Sequence, residues 1–264
     1  MTNEATVTSF DHGAAQPTIR KIQPSDLVDV LMKGLDDFNA KPSHILLLVV
    51  IYPLLALIAA RVAAGYDMLP LVFPLLSGFA LIGPVAALGL YELSRRRELG
   101  LDMGWEHALR VVYAPSFRAI VILSLILGAI YFAWLFSALA IHWLIFGSLV
   151  PTSIEDFVWQ ILTTPKGWAL IIVGCGVGFI FAVAVLAISA VSFPMLLDRN
   201  VWVTTAIQTS VRVFMTNPVT MLFWGAIVAG SLVLGSLPLF VGLAVVMPVL
   251  GHATWHLYRR VVAD

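Results

Sequence analysis

Soft metal ligands and charge are both scarce in this 264-residue sequence. It has one cysteine, Cys175, six histidines, and only 11% Asp, Glu, Lys and Arg together. A lone cysteine excludes an internal disulfide framework and any Cys-x-x-Cys metal or redox site. Fifteen Lys plus Arg balance fifteen Asp plus Glu, so no basic excess points to nucleic acid as a partner. A Gly-x-Ser-x-Gly elbow, a His-Glu-x-x-His pair, a phosphate-binding glycine loop and paired carboxylates inside the apolar runs are all missing. The expectation is a protein that is not an enzyme.

What is present is hydrocarbon. Hydrophobic residues make up 60% of the chain and mean hydropathy is +0.97, where a water-soluble domain spends about a quarter of its residues on charge. The sequence is therefore that of an integral membrane protein. Five stretches free of charge run from Pro42 to Ala60, Met68 to Tyr91, Ala119 to Ile154, Gly167 to Leu197 and Val213 to Tyr258. A crossing needs roughly 20 apolar residues. The last stretch has 46 and is interrupted by Gly235, Ser236, Leu237 and Pro238, a turn-forming cluster that splits it in two. The expected fold is all-α, a bundle of six transmembrane helices at about His44 to Val62, Leu69 to Tyr91, Phe117 to Phe146, Trp168 to Ser192, Val219 to Leu234 and Leu239 to Tyr258. The runs are continuous rather than alternating, which argues against a β-barrel. Residues 1–43 form a tail, 44–258 the membrane domain, and 259–264 a short end.

Orientation follows from the cations in the loops. With a cytoplasmic N-terminus, 13 Lys and Arg lie inside, and only Arg61 and Lys166 outside. Both termini are thus expected on the cytoplasmic side of an inner membrane.

The tail to about Gln23 reads as disordered. From Ser25 the pattern becomes amphipathic over about residues 25–38: Leu27, Val30, Leu31, Leu35 and Phe38 on one face, Asp29, Lys33, Asp36 and Asp37 on the other, a helix expected on the membrane surface. Two connectors share this character. One has Asp102 as cap, Trp105, Leu109 and Val112 as its apolar stripe and Glu106 with Arg110 as an i,i+4 pair. The other has Asn200 as cap, an apolar stripe from Trp202 to Phe214, and Thr204, Gln208 and Arg212 opposite. Each ends near a proline, Pro115 or Pro218, which suggests an imperfect repeat. On the other side Ser153 and Asp156 mark a helix start. The basic and aromatic residues at span ends, Arg95, Arg96, Arg97, Trp105, Arg110, Trp202, Arg212, Arg259 and Arg260, read as anchors to membrane lipids.

The segments FNAKPSHILLLVVIY, GPVAALGLYELSRRRELG and PVLGHATWHLYRRVV resemble a bacterial membrane family classed as domain of unknown function 2189, over about Lys33 to Val262. The residues that carry the resemblance are Gly34, Asp37 and Pro42; Gly83, Pro84, Gly89, Tyr91, Glu92 and Ser94; and Gly251, His252, Trp255, His256, Tyr258 and Arg259. The family brings no established activity. Some relatives carry a name likening them to subunit I of cytochrome c oxidase, which implies at most an accessory or assembly role beside a respiratory complex.

An oxidase core would need two histidines for each six-coordinate haem and three more for copper. Within or near spans this chain has His142, His252, His256 and His44. A single haem or metal on His252, His256 and His44 is geometrically open. Polar packing beside Trp255 and Tyr258 is the preferred reading, and no cofactor is expected. No ionisable residue sits at mid-span, which disfavours ion-driven transport; Ser124, Ser137, Ser189, Ser192 and Ser231 are explained by bonding back to their own helices. Gly174, Gly178 and Ala182, and Ala226 with Gly230, form small-residue faces suited to close helix packing, within the chain or with subunits of a larger membrane complex. The alternative function is transport or handling of a small solute or lipid.

Overall fold

The computed structural model describes residues 17–40, 71–147, 153–238 and 240–263, and their regular elements are helices. In chain order these are α1 (Asp26–Ala40), α2 (Val72–Ala86), α3 (Leu88–Glu98), α4 (Trp105–Ala108) with a 3-10 segment (Leu109–Tyr113), α5 (Phe117–Phe146), α6 (Ile154–Thr163), α7 (Pro165–Ser189), α8 (Ser192–Asp198), α9 (Val203–Thr216), α10 (Pro218–Ser236) and α11 (Leu243–Val261).

Three stretches among the described residues are long and apolar enough to cross a membrane: Phe117–Phe146, Pro165–Asp198 and Pro218–Ser236. The expected first span, with His44, lies outside the described residues, as does Pro42. The expected second span is interrupted. Helix α2 ends at Ala86, two residues after Pro84, and α3 then carries on past Tyr91 to Glu98, so Arg95, Arg96 and Arg97 are helical. The final apolar stretch does break where its turn residues fall, with α10 ending at Ser236 and α11 starting at Leu243.

One end of the molecule is polar and densely packed. There α1 packs along α11 and bonds α3 through Asp37 and Ser94, α8 lies against α3, α5 and α11, and the start of α10 bonds Ile22 just ahead of α1. Helix α8 is buried from Ser192 to Leu197, and Trp224, Trp255, Tyr258 and Phe193 are the largest fully buried side chains. The long helices leave much of their sides exposed. In the most apolar stretch of Pro165–Asp198 only 6% is buried.

Local chemistry explains several boundaries. Ser153 Oγ accepts the Asp156 N–H and starts α6, as its sequence suggested. Thr164 Oγ1 accepts the Gly167 N–H and, with Pro165 in the first turn, starts α7. Helix α3 ends in a Schellman motif: Leu101 N–H bonds the Arg96 carbonyl, Gly100 N–H bonds that of Arg97, and Gly100 supplies the positive φ of 69°. Four of the in-span serines, Ser124, Ser137, Ser189 and Ser192, bond the carbonyl four residues back.

Four sequence expectations are corrected. The tail is ordered from well before Gln23. Ile19 pairs with Val262 as an antiparallel bridge, Arg20 N–H donates to Val261 O at 2.8 Å and Ala263 N–H to Thr18 O at 2.9 Å. Asn217 Oδ1 accepts the Ile22 N–H at 2.9 Å, and its Nδ2 donates to Arg20 O at 3.1 Å. Composition missed this strap because backbone pairing carries it. Second, the connector after Asp102 is not one continuous helix, since α4 is a single turn that tightens into 3-10 geometry. Only the α9 connector is fully helical, which weakens the repeat. Third, α9 begins after Trp202 rather than after Asn200, with Thr204, Gln208 and Arg212 exposed as expected. Fourth, Asp37 is not on the outer face of α1 but 4% exposed, beside Leu27, Val30, Gly34 and Phe38.

Candidate functional site

Gly34 sets the approach of α1 to α11. A Cβ at Gly34 would lie 2.7 Å from the Cβ and backbone N of Ala253 and 2.8 Å from the Val249 carbonyl, so only glycine lets the two backbones come this close. On the other side of α11, a Cβ at Gly251 would lie 2.6 Å from Leu90 Cδ1. Helix α11 is thereby clamped between α1 and α3, and polar residues one turn further along each helix converge.

Asp37 is the hub. Its Oδ2 accepts Ser94 Oγ–H at 2.5 Å and lies 2.9 Å from His256 Nε2; its Oδ1 accepts Arg97 Nη1–H at 2.5 Å. Ser94 Oγ also lies 2.7 Å from His252 Nδ1. Ser94 has one proton and gives it to Asp37, so His252 must donate from Nδ1 to Ser94. An ionised carboxylate only accepts, so His256 donates from Nε2. Burial pushes the Asp37 carboxyl up, but the hydrogen bonds from His256 and Ser94, the His256 charge and the Arg97 hydrogen bond outweigh it and hold the group below its ordinary value. The hub is thus an anion enclosed by donors.

A second layer surrounds it. Glu92, also buried, takes Arg95 Nε at 2.9 Å and Nη2 at 3.3 Å. Glu98 takes Trp255 Nε1 at 3.0 Å and Arg259 Nε at 3.0 Å. Asp198 Oδ2 accepts the Tyr258 hydroxyl at 2.6 Å, and Arg199 Nε donates to that hydroxyl at 3.2 Å. Arg96 Nε donates to the Asp102 carbonyl at 2.6 Å, and Arg260 Nη2 pairs with Asp26 Oδ1 at 2.6 Å.

This geometry gives the network a structural chemistry. Ser94 is 1% exposed and His252 fully buried, and the Ser94 proton points to Asp37 rather than to an imidazole, opposite to what a nucleophile and its base require. Both histidines of the haem or metal trio hydrogen-bond protein groups around Asp37, while His44 lies outside the described residues. A different trio, Asp102, Glu106 and His107, brings its ligand atoms within 4.8 Å of one another, with both carboxylates exposed.

The remaining sequence-derived positions divide. Of the lipid-anchoring residues, Arg95, Arg96, Arg97, Arg259 and Arg260 are held by carboxylates or a carbonyl of the chain, as above. Arg212 is exposed and Trp202 half-buried; the side chains of Trp105 and Arg110 lie outside the described residues. Of the small-residue faces, Gly178 packs on the Trp134 ring, whereas a Cβ at Gly174 or Gly230 would meet nothing within 4 Å among the described residues. Ala182, Ala226 and Gly230 are exposed.

An all-helical chain with several membrane-competent helices tied at one end by a buried polar knot is an integral membrane protein. The family model described as predicted integral membrane protein (DUF2189) matches residues 72–198, a little under half of the chain. Helices α1 and α11, which bring Asp37, His252 and His256, lie beyond the matched stretch. Neither a curated protein nor a solved structure matches the chain.

Proposed function

We propose that the protein is a non-catalytic component of a larger assembly in the bacterial inner membrane, an accessory or assembly subunit of the kind that accompanies respiratory complexes. In this reading the chain crosses six times with both termini in the cytoplasm. The loop cations support that orientation, and the pairing of residues 18–20 with 261–263 agrees with ends on one side. The observation that carries the functional reading is the contrast between the two parts of the molecule. Most charged groups at the polar end are paired with one another, while the long helices leave Leu125, Phe136, Ile172, Phe179, Ile180 and Val233 exposed. Lipid covers such faces without cost, and close packing with a neighbour uses the small residues set among them, Gly174, Ala226 and Gly230.

A transporter or lipid-handling protein would instead be supported by a deep polar cavity between the spans. Two cavities among the described residues, of about 170 and 320 Å³, are both lined by residues of the polar end.

A photo-crosslinking amino acid placed at Ala226 or Gly230 in living cells tests the proposal. A discrete adduct with one protein, not formed from the same probe at Thr204 on the cytoplasmic connector, is the expected result. Adducts with lipid alone would contradict it.

A further inference from the structure

The strap, α1, the last turn of α3 and the end of α11 surround the larger cavity, of about 320 Å³. That equals roughly ten water volumes, enough for a phosphoryl group with a small substituent. Four cations line it, Arg20, Lys33, Arg259 and Arg260, against two carboxylates, Asp29 and Glu98. His256, whose Nε2 lies 2.9 Å from Asp37 Oδ2, also lines it.

The carboxylates do not exhaust these cations. Asp29 is shared between Lys33 Nζ at 3.3 Å and Arg260 Nη1 at 4.0 Å. Arg260 makes its close pair with Asp26. The Arg20 guanidinium makes no ion pair or hydrogen bond among the described residues, although its backbone carbonyl is fixed by Asn217. A guanidinium carries five N–H donors and an ammonium three, so Arg20, Lys33 and Arg260 keep donors and net positive charge for the cavity. An oxyanion with several acceptor oxygens satisfies both, and guanidinium groups match phosphoryl geometry in particular.

We propose that this cavity binds a phosphoryl-bearing anion at the polar end of the protein. The side of α1 that faces the cavity indicates where the anion comes from. Asp29 and Lys33 lie about a third of a turn around the helix from Val28, Met32 and Leu35, an apolar stripe 63%, 54% and 37% exposed. With that stripe on the bilayer surface, the cavity opens away from lipid and takes its anion from the aqueous phase.

The test uses the full-length protein in nanodiscs of phosphatidylcholine, titrated with inorganic phosphate against chloride at constant ionic strength and followed by calorimetry. Saturable phosphate binding is expected, weakened about tenfold or more by Arg20→Gln or Lys33→Gln, as the loss of one charge-assisted hydrogen bond requires. Lys166→Gln, at the opposite end, leaves it unchanged. A second arm uses nanodiscs containing phosphatidylglycerol. Retention of that lipid through purification by wild type but not by Arg20→Gln, without binding of free phosphate, keeps the phosphoryl site and overturns its aqueous source. Absence of both kinds of binding, or binding weakened equally by Arg20→Gln and Lys166→Gln, overturns the proposal.

Discussion

Asp37 decides the character of the polar end, and its place was legible from spacing alone. Val30, Gly34 and Asp37 fall at i, i+4 and i+7 and so share one face of α1. Assigning every charged residue to the outer face hid this, because an aspartate in a core sector is expected only where donors wait for it. Those donors, Ser94, Arg97 and His256, come from elements 57 to 219 residues away, which no local pattern reveals. Asp37→Asn keeps the shape and removes the charge. A loss of about 1 to 3 kcal/mol in folding stability is expected, read as a lower unfolding temperature in detergent. The pH dependence has a definite sign. The carboxyl is held below its ordinary value when folded, so its contribution is complete above the ordinary carboxylate range and is lost as pH falls through the folded value. Unfolding temperatures between about pH 6 and pH 3 should decline less steeply in Asp37→Asn than in wild type. An equal decline would show that Asp37 is not the group that titrates.

Among the elements, periodicity and turn residues located most helices, and backbone pairing defeated it where it failed. Helix α1, the break between α10 and α11 and the Ser153 start of α6 all follow from apolar spacing or caps. The strap at residues 18–22 does not, since its partners are the carbonyls and amides of the far end of the chain and the side chains of Asn217 and Thr220. Asn217→Ala removes two of the strap's hydrogen bonds, from Ile22 N–H and to the Arg20 carbonyl, and should cost about 1 to 2 kcal/mol, seen as faster hydrogen exchange at the Ile22 amide. The helix crossing is tested at Gly34. Gly34→Ala puts a methyl against backbone atoms of α11 and should destabilise by about 1 to 3 kcal/mol. Gly128→Ala, where a Cβ meets nothing within 4 Å, should not. Equal effects would mean that α1 does not pack on α11 at this point.

For the whole molecule, composition was sufficient to place the chain in a membrane and could not say what surrounds it there. Apolar residues facing lipid and apolar residues facing another protein obey the same hydropathy, and small-residue spacing serves either neighbour. The structure narrows the question by pairing most of the polar groups internally and leaving the flanks of α5, α7 and α10 uncovered among the described residues. The direct measurement is gentle extraction of the protein at its native expression level, followed by native mass determination and identification of what migrates with it. Our account predicts a particle well above the 28.7 kDa of the chain, with subunits of one membrane complex in fixed stoichiometry. Recovery of the chain by itself, with lipid or nothing bound, would contradict it.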